Sequence, residues 1–210
     1  MPECYRETIK NGIEVAIWAI SETEAELKKG LSLSEKAQSR LSSRRSEVHR
    51  KGYLAIRQLL KGFHIDPLTH QYDKQGAPYL TDGRFLSISH TQTRATVALG
   101  TVPLGIDLEF YQDKIEAIAP RFLNPSELAY AKENEPIPIY TQLWTAKEDL
   151  YKAYNTPGIH FATQMHIHGF ENKASEGLGS ISHQEKEHPY SLYFRYFDTF
   201  CLTLATPKQV

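Results

Sequence analysis

Three short motifs between Leu86 and Lys152 carry the residues of this chain best suited to chemistry. They are Ser87-Ile88-Ser89-His90, Gly105-Ile106-Asp107-Leu108-Glu109, and Trp144-Thr145-Ala146-Lys147-Glu148-Asp149-Leu150-Tyr151-Lys152. Asp107 and Glu109 stand two apart in an alternating apolar run, so on a strand both carboxylates point to one face. Glu148 and Lys152 are four apart in a helical pattern and share a helix face. Two carboxylates from a strand and one from a helix can hold a hard, oxygen-preferring cation such as Mg²⁺. That ion keeps several waters and needs only a few protein carboxylates beside substrate phosphates. The chemistry indicated is phosphate handling.

Each motif also has a plain reading. Asp107 and Glu109 fit the wet face of an antiparallel strand. Glu148 and Lys152 fit a surface ion pair, contributing only about 0.2–0.5 kcal/mol. His90 can cap a turn, and Trp144 fits a core position at the start of a helical stripe. His166 and His168 lack a third metal ligand nearby and fit one side of a strand. His160, His183 and His188 fall in expected loops.

The elements that must position these residues follow from periodicity and turn chemistry. Ile13 to Ile20 reads as a buried strand. Ser21 with Glu24 three residues later has the form of a capping box, which predicts a short helix over 22–29. Ser34 opens a helical stretch to about Lys61, ended by Gly62. Tyr53, Ile56, Leu59, Leu60 and Phe63 form its core-facing stripe. Its first half is basic (Arg40, Arg44, Arg45, His49, Arg50, Lys51), either a solvated face or a clamp for phosphates. Arg57 lies within the apolar stripe, where a long cation needs a partner or an exit to solvent. A turn-rich stretch follows, then a hairpin over 85–100 and a strand over 105–110. Asn124-Pro125-Ser126-Glu127 has the N-cap, proline and early acid of a helix start. A further helix is expected over 139–155, an exposed connection over 172–189, and a hairpin over 190–205. Long helix and hairpin thus occur twice, which suggests two similar α+β halves packed as one body.

Composition narrows the class. A chain of 210 residues, 40% apolar and 23% charged, can bury a substantial core. A net charge of −1 lacks the basic footprint of a nucleic-acid binder. Cys4 and Cys201 are too few for a disulfide framework or a thiolate zinc site. No run approaches the roughly 20 apolar residues of a membrane helix. The opening Met-Pro-Glu-Cys-Tyr lacks the basic and apolar regions of a signal peptide, so a cytoplasmic, reduced protein is expected.

In order, Ser-Ile-Ser-His, Gly-Ile-Asp-Leu-Glu, Arg121-Phe122-Leu123 with Glu127, and Trp-Thr-Ala-Lys-Glu-x-x-x-Lys resemble the 4′-phosphopantetheinyl transferase superfamily, in particular its monomeric Sfp-type branch. The resemblance spans about residues 44–155. It implies two pseudo-symmetric α+β halves, here 1–103 and 104–210, each a helix packed on a small antiparallel sheet. It places coenzyme A in the cleft between them. It also implies transfer of the phosphopantetheine arm to a serine of an apo acyl or peptidyl carrier protein, releasing 3′,5′-ADP. By match to the family motifs, Asp107, Glu109 and Glu148 are the ligands of Mg²⁺ (or Mn²⁺). Lys152 contacts the pyrophosphate, Ser89 and His90 bind the coenzyme, and Arg57 falls on a basic position of the first half. Arg44, Arg45 and Arg50 are further candidates for its phosphates, and Glu148 and Glu127 are candidates for the base. The segment 113–135 reads either as a partner-facing excursion, with Ile115, Ile118, Phe122 and Leu123 as an apolar docking surface and Lys114 and Arg121 meeting acidic groups, or as a segment whose Ile118 and Phe122 are ordinary core.

Two positions depart from the family pattern. Gly76-Ala77-Pro78 stands where a Gly-Lys-Pro is usual, which removes a cation near the coenzyme. Asp149 stands where a small residue follows the Lys-Glu pair, adding negative charge or merely facing solvent. Two other readings use the same residues. One is a metal-dependent pyrophosphate or phosphodiester hydrolase. The other is a non-catalytic relative that binds coenzyme A or a carrier protein, for which the retained carboxylates would have no use.

Overall fold

Asn11 and Gly12, both left-handed (φ 63° and 70°), turn the chain between its first two strands. The computed structural model describes residues 2–168 and 173–208, which form two compact units, 1–101 and 102–210. The first unit contains β1 (Glu3–Ile9), β2 (Ile13–Ala19), α1 (Glu24–Lys28), α2 (Glu35–Ser42) and α3 (Glu47–Gly62), followed by β3 (His70–Tyr72), β4 (Pro78–Leu80), β5 (Phe85–His90) and β6 (Arg94–Gly100). Its main sheet is antiparallel in the order β1-β2-β6-β5, with β3 and β4 paired apart. Leu54, Ala55, Ile56, Leu59 and Phe63 of α3 recur at helical spacing and pack on Ala16, Ala95, Val97 and Leu99 of that sheet.

The second unit contains β7 (Gly105–Phe110), α4 (Lys114–Phe122), α5 (Pro125–Glu133), α6 (Pro136–Tyr154), α7 (Phe161–Gln164), β8 (Met165–His168), β9 (Glu176–His183), β10 (Lys186–Tyr196) and β11 (Phe200–Pro207). Its antiparallel sheet runs β7-β11-β10-β9-β8. Ala146 and Leu150 of α6 pack on Ile181, Leu192 and Phe194 of the sheet. Ile139, Tyr140 and Leu143 of the same helix meet Ile115, Phe122 and Leu123. The two units repeat one topology: a strand, a long helix, then a hairpin whose last strand pairs with the first. In one unit this is β2–α3–β5–β6, in the other β7–α6–β10–β11. The mixed α+β class expected from the sequence is the one observed.

Several local expectations are corrected. The helix expected over 34–61 is two, because Ser43 to Ser46 interrupt it and Ser46 opens α3. The capping box sits two residues later than Ser21: Thr23 accepts from the Glu26 amide, and Glu26 accepts from the Thr23 amide at 2.8 Å. Residues 113–135 are not an excursion with an apolar outer surface. They form α4 and α5, with Ile115, Phe122 and Leu123 buried and Ile118 packed against the same cluster, while Lys114 and Arg121 stay exposed. The expected connection over 172–189 is β9 and the start of β10 from residue 176 onward, and Asn172 lies outside the described residues. His183 and His188 lie on those strands, and both hydrogen-bond the Tyr154 hydroxyl. No helix among the described residues is long and apolar enough to cross a membrane.

Candidate active site

Strand register and one glycine set the geometry of the carboxylates. Residues 105, 107 and 109 share a face of β7, and their neighbours on β11 are Ala205, Thr203 and Cys201. Helix α6 covers that face. Thr145 lies 2.7 Å from the Thr203 hydroxyl and 3.8 Å from the Cys201 sulfur. At Gly105 the helix comes so close that an added Cβ would stand 2.0 Å from the Asp149 carbonyl oxygen. Only glycine permits this approach. The carboxylates of β7 therefore lie under the helix rather than on a wet face, and Asp107 is 3% exposed.

Lys152, one helical turn beyond Glu148, closes the arrangement. Its Nζ donates to Asp107 Oδ1 at 2.8 Å and to the Ile106 carbonyl at 2.8 Å. Burial alone would lower the Lys152 ammonium, and Asp107 with Asp149 more than reverses this, so its pKa is raised. Glu109 is pushed up to about 7, first by burial and then by Asp107, with Glu148 adding to the effect. Glu148 is raised by burial and by Asp107. Asp149 is fully buried, neither carboxylate oxygen makes a hydrogen bond, and burial and then Asp107 raise it well above the usual carboxylate range. It does not face solvent, as its place beside the motif had allowed. The departure at 149 thus adds a fourth acid to the cluster.

Among the described residues no group of three His, Cys, Asp or Glu stands in an arrangement that could hold a metal ion. Asp107, Glu109 and Glu148 thus do not meet at one point in this structure, where Lys152 is paired with Asp107. The donor set still fits a divalent cation. All the donors are carboxylate oxygens, burial and Asp107 raise the pKa of both Glu109 and Glu148, and one added cation would relieve that excess of negative charge.

Glu127 has a different job. It accepts from the Asn124 amide at 2.9 Å in a capping box, and its Oε2 lies 2.7 Å from Lys147 Nζ. Lys147, 0% exposed, also donates to the carbonyls of Phe122 and Phe161. Burial lowers the Lys147 ammonium, and Glu127 opposes that shift. The glutamate thus holds α5 to α6 through its cap and its pair with Lys147. The sequence reading assigned nothing to Lys147, although a lysine inside an apolar helical stripe signals a buried ion pair.

In the first unit, Ser89 and His90 end β5, and the His90 ring lies against Gly52 of α3, where a Cβ would stand 2.8 Å from its Nδ1. The His49 ring centroid is 6.0 Å from that of His90. Arg45 is exposed, and Arg50 is paired with Glu24 at 2.8 Å. Arg44 stacks on the Tyr53 ring at 4.2 Å. Arg57 is buried on the same ring at 3.2 Å. Arg44 and Arg57 thus share the Tyr53 ring, while His49 is the basic neighbour of His90.

A carboxylate-bearing strand under a helix that carries both a lysine and a further glutamate, in an α+β unit, defines a phosphate-handling class. Residues 103–205, just under half of the chain, match the family model of the 4'-phosphopantetheinyl transferase superfamily. The chain is also similar to the 4'-phosphopantetheinyl transferase gsp of Aneurinibacillus migulanus, with 25% identity over 124 residues. That match covers 58% of this chain and 50% of the relative, so it spans about half the relative's length.

Proposed function

We propose that this protein transfers the 4′-phosphopantetheine arm of coenzyme A to a serine of an apo acyl or peptidyl carrier protein. The serine oxygen attacks the β-phosphorus, the bond from that phosphorus to the bridging oxygen breaks, and 3′,5′-ADP leaves. The serine proton passes to a carboxylate. The observation that carries the reading is Lys152 Nζ at 2.8 Å from Asp107, beside Glu109 and Glu148. This is an acid–lysine cluster suited to a pyrophosphate and its counter-ion.

Asp107, Glu109 and Glu148 would hold Mg²⁺ or Mn²⁺, which when bound supplies charge neutralisation at the pyrophosphate oxygens. Lys152 would meet the phosphates as a point charge, stabilising the charge that develops as the bond breaks. Glu148, its pKa raised by burial and by Asp107, is assigned the role of proton acceptor. His90 and Ser89, with Arg44, Arg45 and Arg50, are assigned to the coenzyme's phosphates. Arg57, more deeply buried than Arg44 on the Tyr53 ring they share, is kept apart from that group. The enzyme is read as a cytoplasmic monomer with coenzyme A and a carrier protein as its partners.

Chromatographic measurement of 3′,5′-ADP tests the reading. Release should require coenzyme A, Mg²⁺ and an apo carrier together. Release without the carrier would instead mark a pyrophosphate hydrolase, and no release with any carrier would favour a binding relative.

A further inference from the structure

Arg57 is 8% exposed, yet its guanidinium makes only two long hydrogen bonds, to the Tyr53 carbonyl at 3.3 Å and the Tyr72 hydroxyl at 3.4 Å. No carboxylate pairs with it among the described residues. Two more guanidiniums crowd the same tyrosines, Arg44 over Tyr53 at 4.2 Å and Arg40 over Tyr72 at 4.0 Å. A buried cation without a counter-charge is costly, so one held this way marks a place for an anion. Arg57 lines a cavity of about 420 Å³ within the first unit. His70 lines it too, and its buried Nε2 makes no hydrogen bond. Burial, and then Arg57 and Arg40, push the His70 imidazole down to about 3, so the ring is neutral and can donate to an anion through that nitrogen. The rest of the lining combines the aliphatic Leu31, Leu33, Leu60 and Ile65 with Ser32, Lys61 and His64. Asp66, the one acid among the lining residues, is exposed, and its Oδ1 accepts from the Leu68 amide.

We propose that this cavity binds a medium-chain aliphatic carboxylate, with its head group on the Arg57 fork and His70 and its alkyl chain against the leucines. A flat two-oxygen anion matches the planar guanidinium, and the leucines and Ile65 of the wall match an alkyl chain. The cavity lies in the usual size range for small-molecule sites. Arg44 neighbours the site through Tyr53, but none of Ser89, His90, Arg44, Arg45 and Arg50 lines the cavity, and the site stands whether or not the transfer reading holds.

Equilibrium dialysis of the full chain against labelled octanoate and labelled 1-octanol at neutral pH tests the proposal. Octanoate should bind at least about tenfold more tightly, since a charge-assisted hydrogen bond supplies that much selectivity. Saturating coenzyme A should leave octanoate affinity unchanged. Arg57→Gln should erase the preference for octanoate, and Leu33→Trp, which fills the cavity, should weaken both ligands. Equal affinity for acid and alcohol, no octanoate binding, or displacement of octanoate by coenzyme A would each overturn the site. If circular dichroism shows either variant unfolded, the wild-type comparisons decide alone.

Discussion

Lys147 Nζ lies 2.7 Å from Glu127 Oε2 in the second unit, with 0% of the lysine side chain and 7% of the glutamate side chain exposed. This pair ties the motif that begins at Arg121 to the motif that begins at Trp144, so the two belong together for structural reasons. Removing one partner of a buried pair costs about 3–5 kcal/mol. Glu127→Gln should therefore lower the urea midpoint strongly, while turnover per folded molecule stays within a fewfold of wild type. A stable Glu127→Gln variant with turnover down by orders of magnitude would instead make Glu127 the base.

Asp107 bears on the ion and the lysine at once. Asp107→Ala should abolish calorimetric Mg²⁺ binding and transfer, with the circular dichroism spectrum unchanged. Near-normal turnover in the folded variant would remove Asp107 from the site.

The metal-free protein should also carry a signature of Glu109, whose pKa is raised from 4.5 to about 7 by burial and the neighbouring acids. Between those values the folded state binds more protons than the unfolded state, so stability falls as pH rises through this window. In chelator, Tm should drop between pH 5 and pH 7.5 through this group, and Glu109→Gln should flatten that slope. Added Mg²⁺ should raise Tm more at pH 7.5 than at pH 5. A slope unchanged in Glu109→Gln would contradict the assignment.

Gly105→Ala tests the packing that seats the carboxylates. The new Cβ would meet the backbone oxygen of Asp149 at 2.0 Å, and helix backbone cannot swing aside as a side-chain tip can. Overpacking of this kind costs roughly 1–3 kcal/mol. Because the displaced helix carries Glu148 and Lys152, Mg²⁺ affinity measured by calorimetry should fall with stability. A variant of wild-type stability would show that α6 does not rest on Gly105.

Much of the fold was legible because period and punctuation agree along β7, α6 and the hairpin over 190–205. The misses have particular causes. β1 is hard to read although Asn11-Gly12 is a hairpin signal, because Glu-Cys-Tyr-Arg-Glu-Thr-Ile neither alternates polar and apolar residues nor forms a hydrophobic run. The break at 43–46 is made by serines in a basic stretch that reads as helical. α4 carries Pro120 inside it, which argues against a helix in the sequence, but its buried face packs on Tyr140 and Leu143. In the site, spacing alone put Asp107 and Glu109 on one face and Glu148 with Lys152 on another. Spacing could not reveal which face was covered. That depended on Gly105 admitting α6, a tertiary contact, and the same contact left Asp149 buried rather than wet.

The central claim is most directly tested by intact-mass analysis of apo acyl and peptidyl carrier proteins after incubation with the protein, coenzyme A and Mg²⁺. At least one carrier should gain the mass of a single phosphopantetheine arm. The gain should vanish with excess chelator, with a carrier whose acceptor serine is alanine, and with the Asp107→Ala protein. An unmodified mass across acyl and peptidyl carriers, with a known transferase modifying them in parallel, would contradict the account.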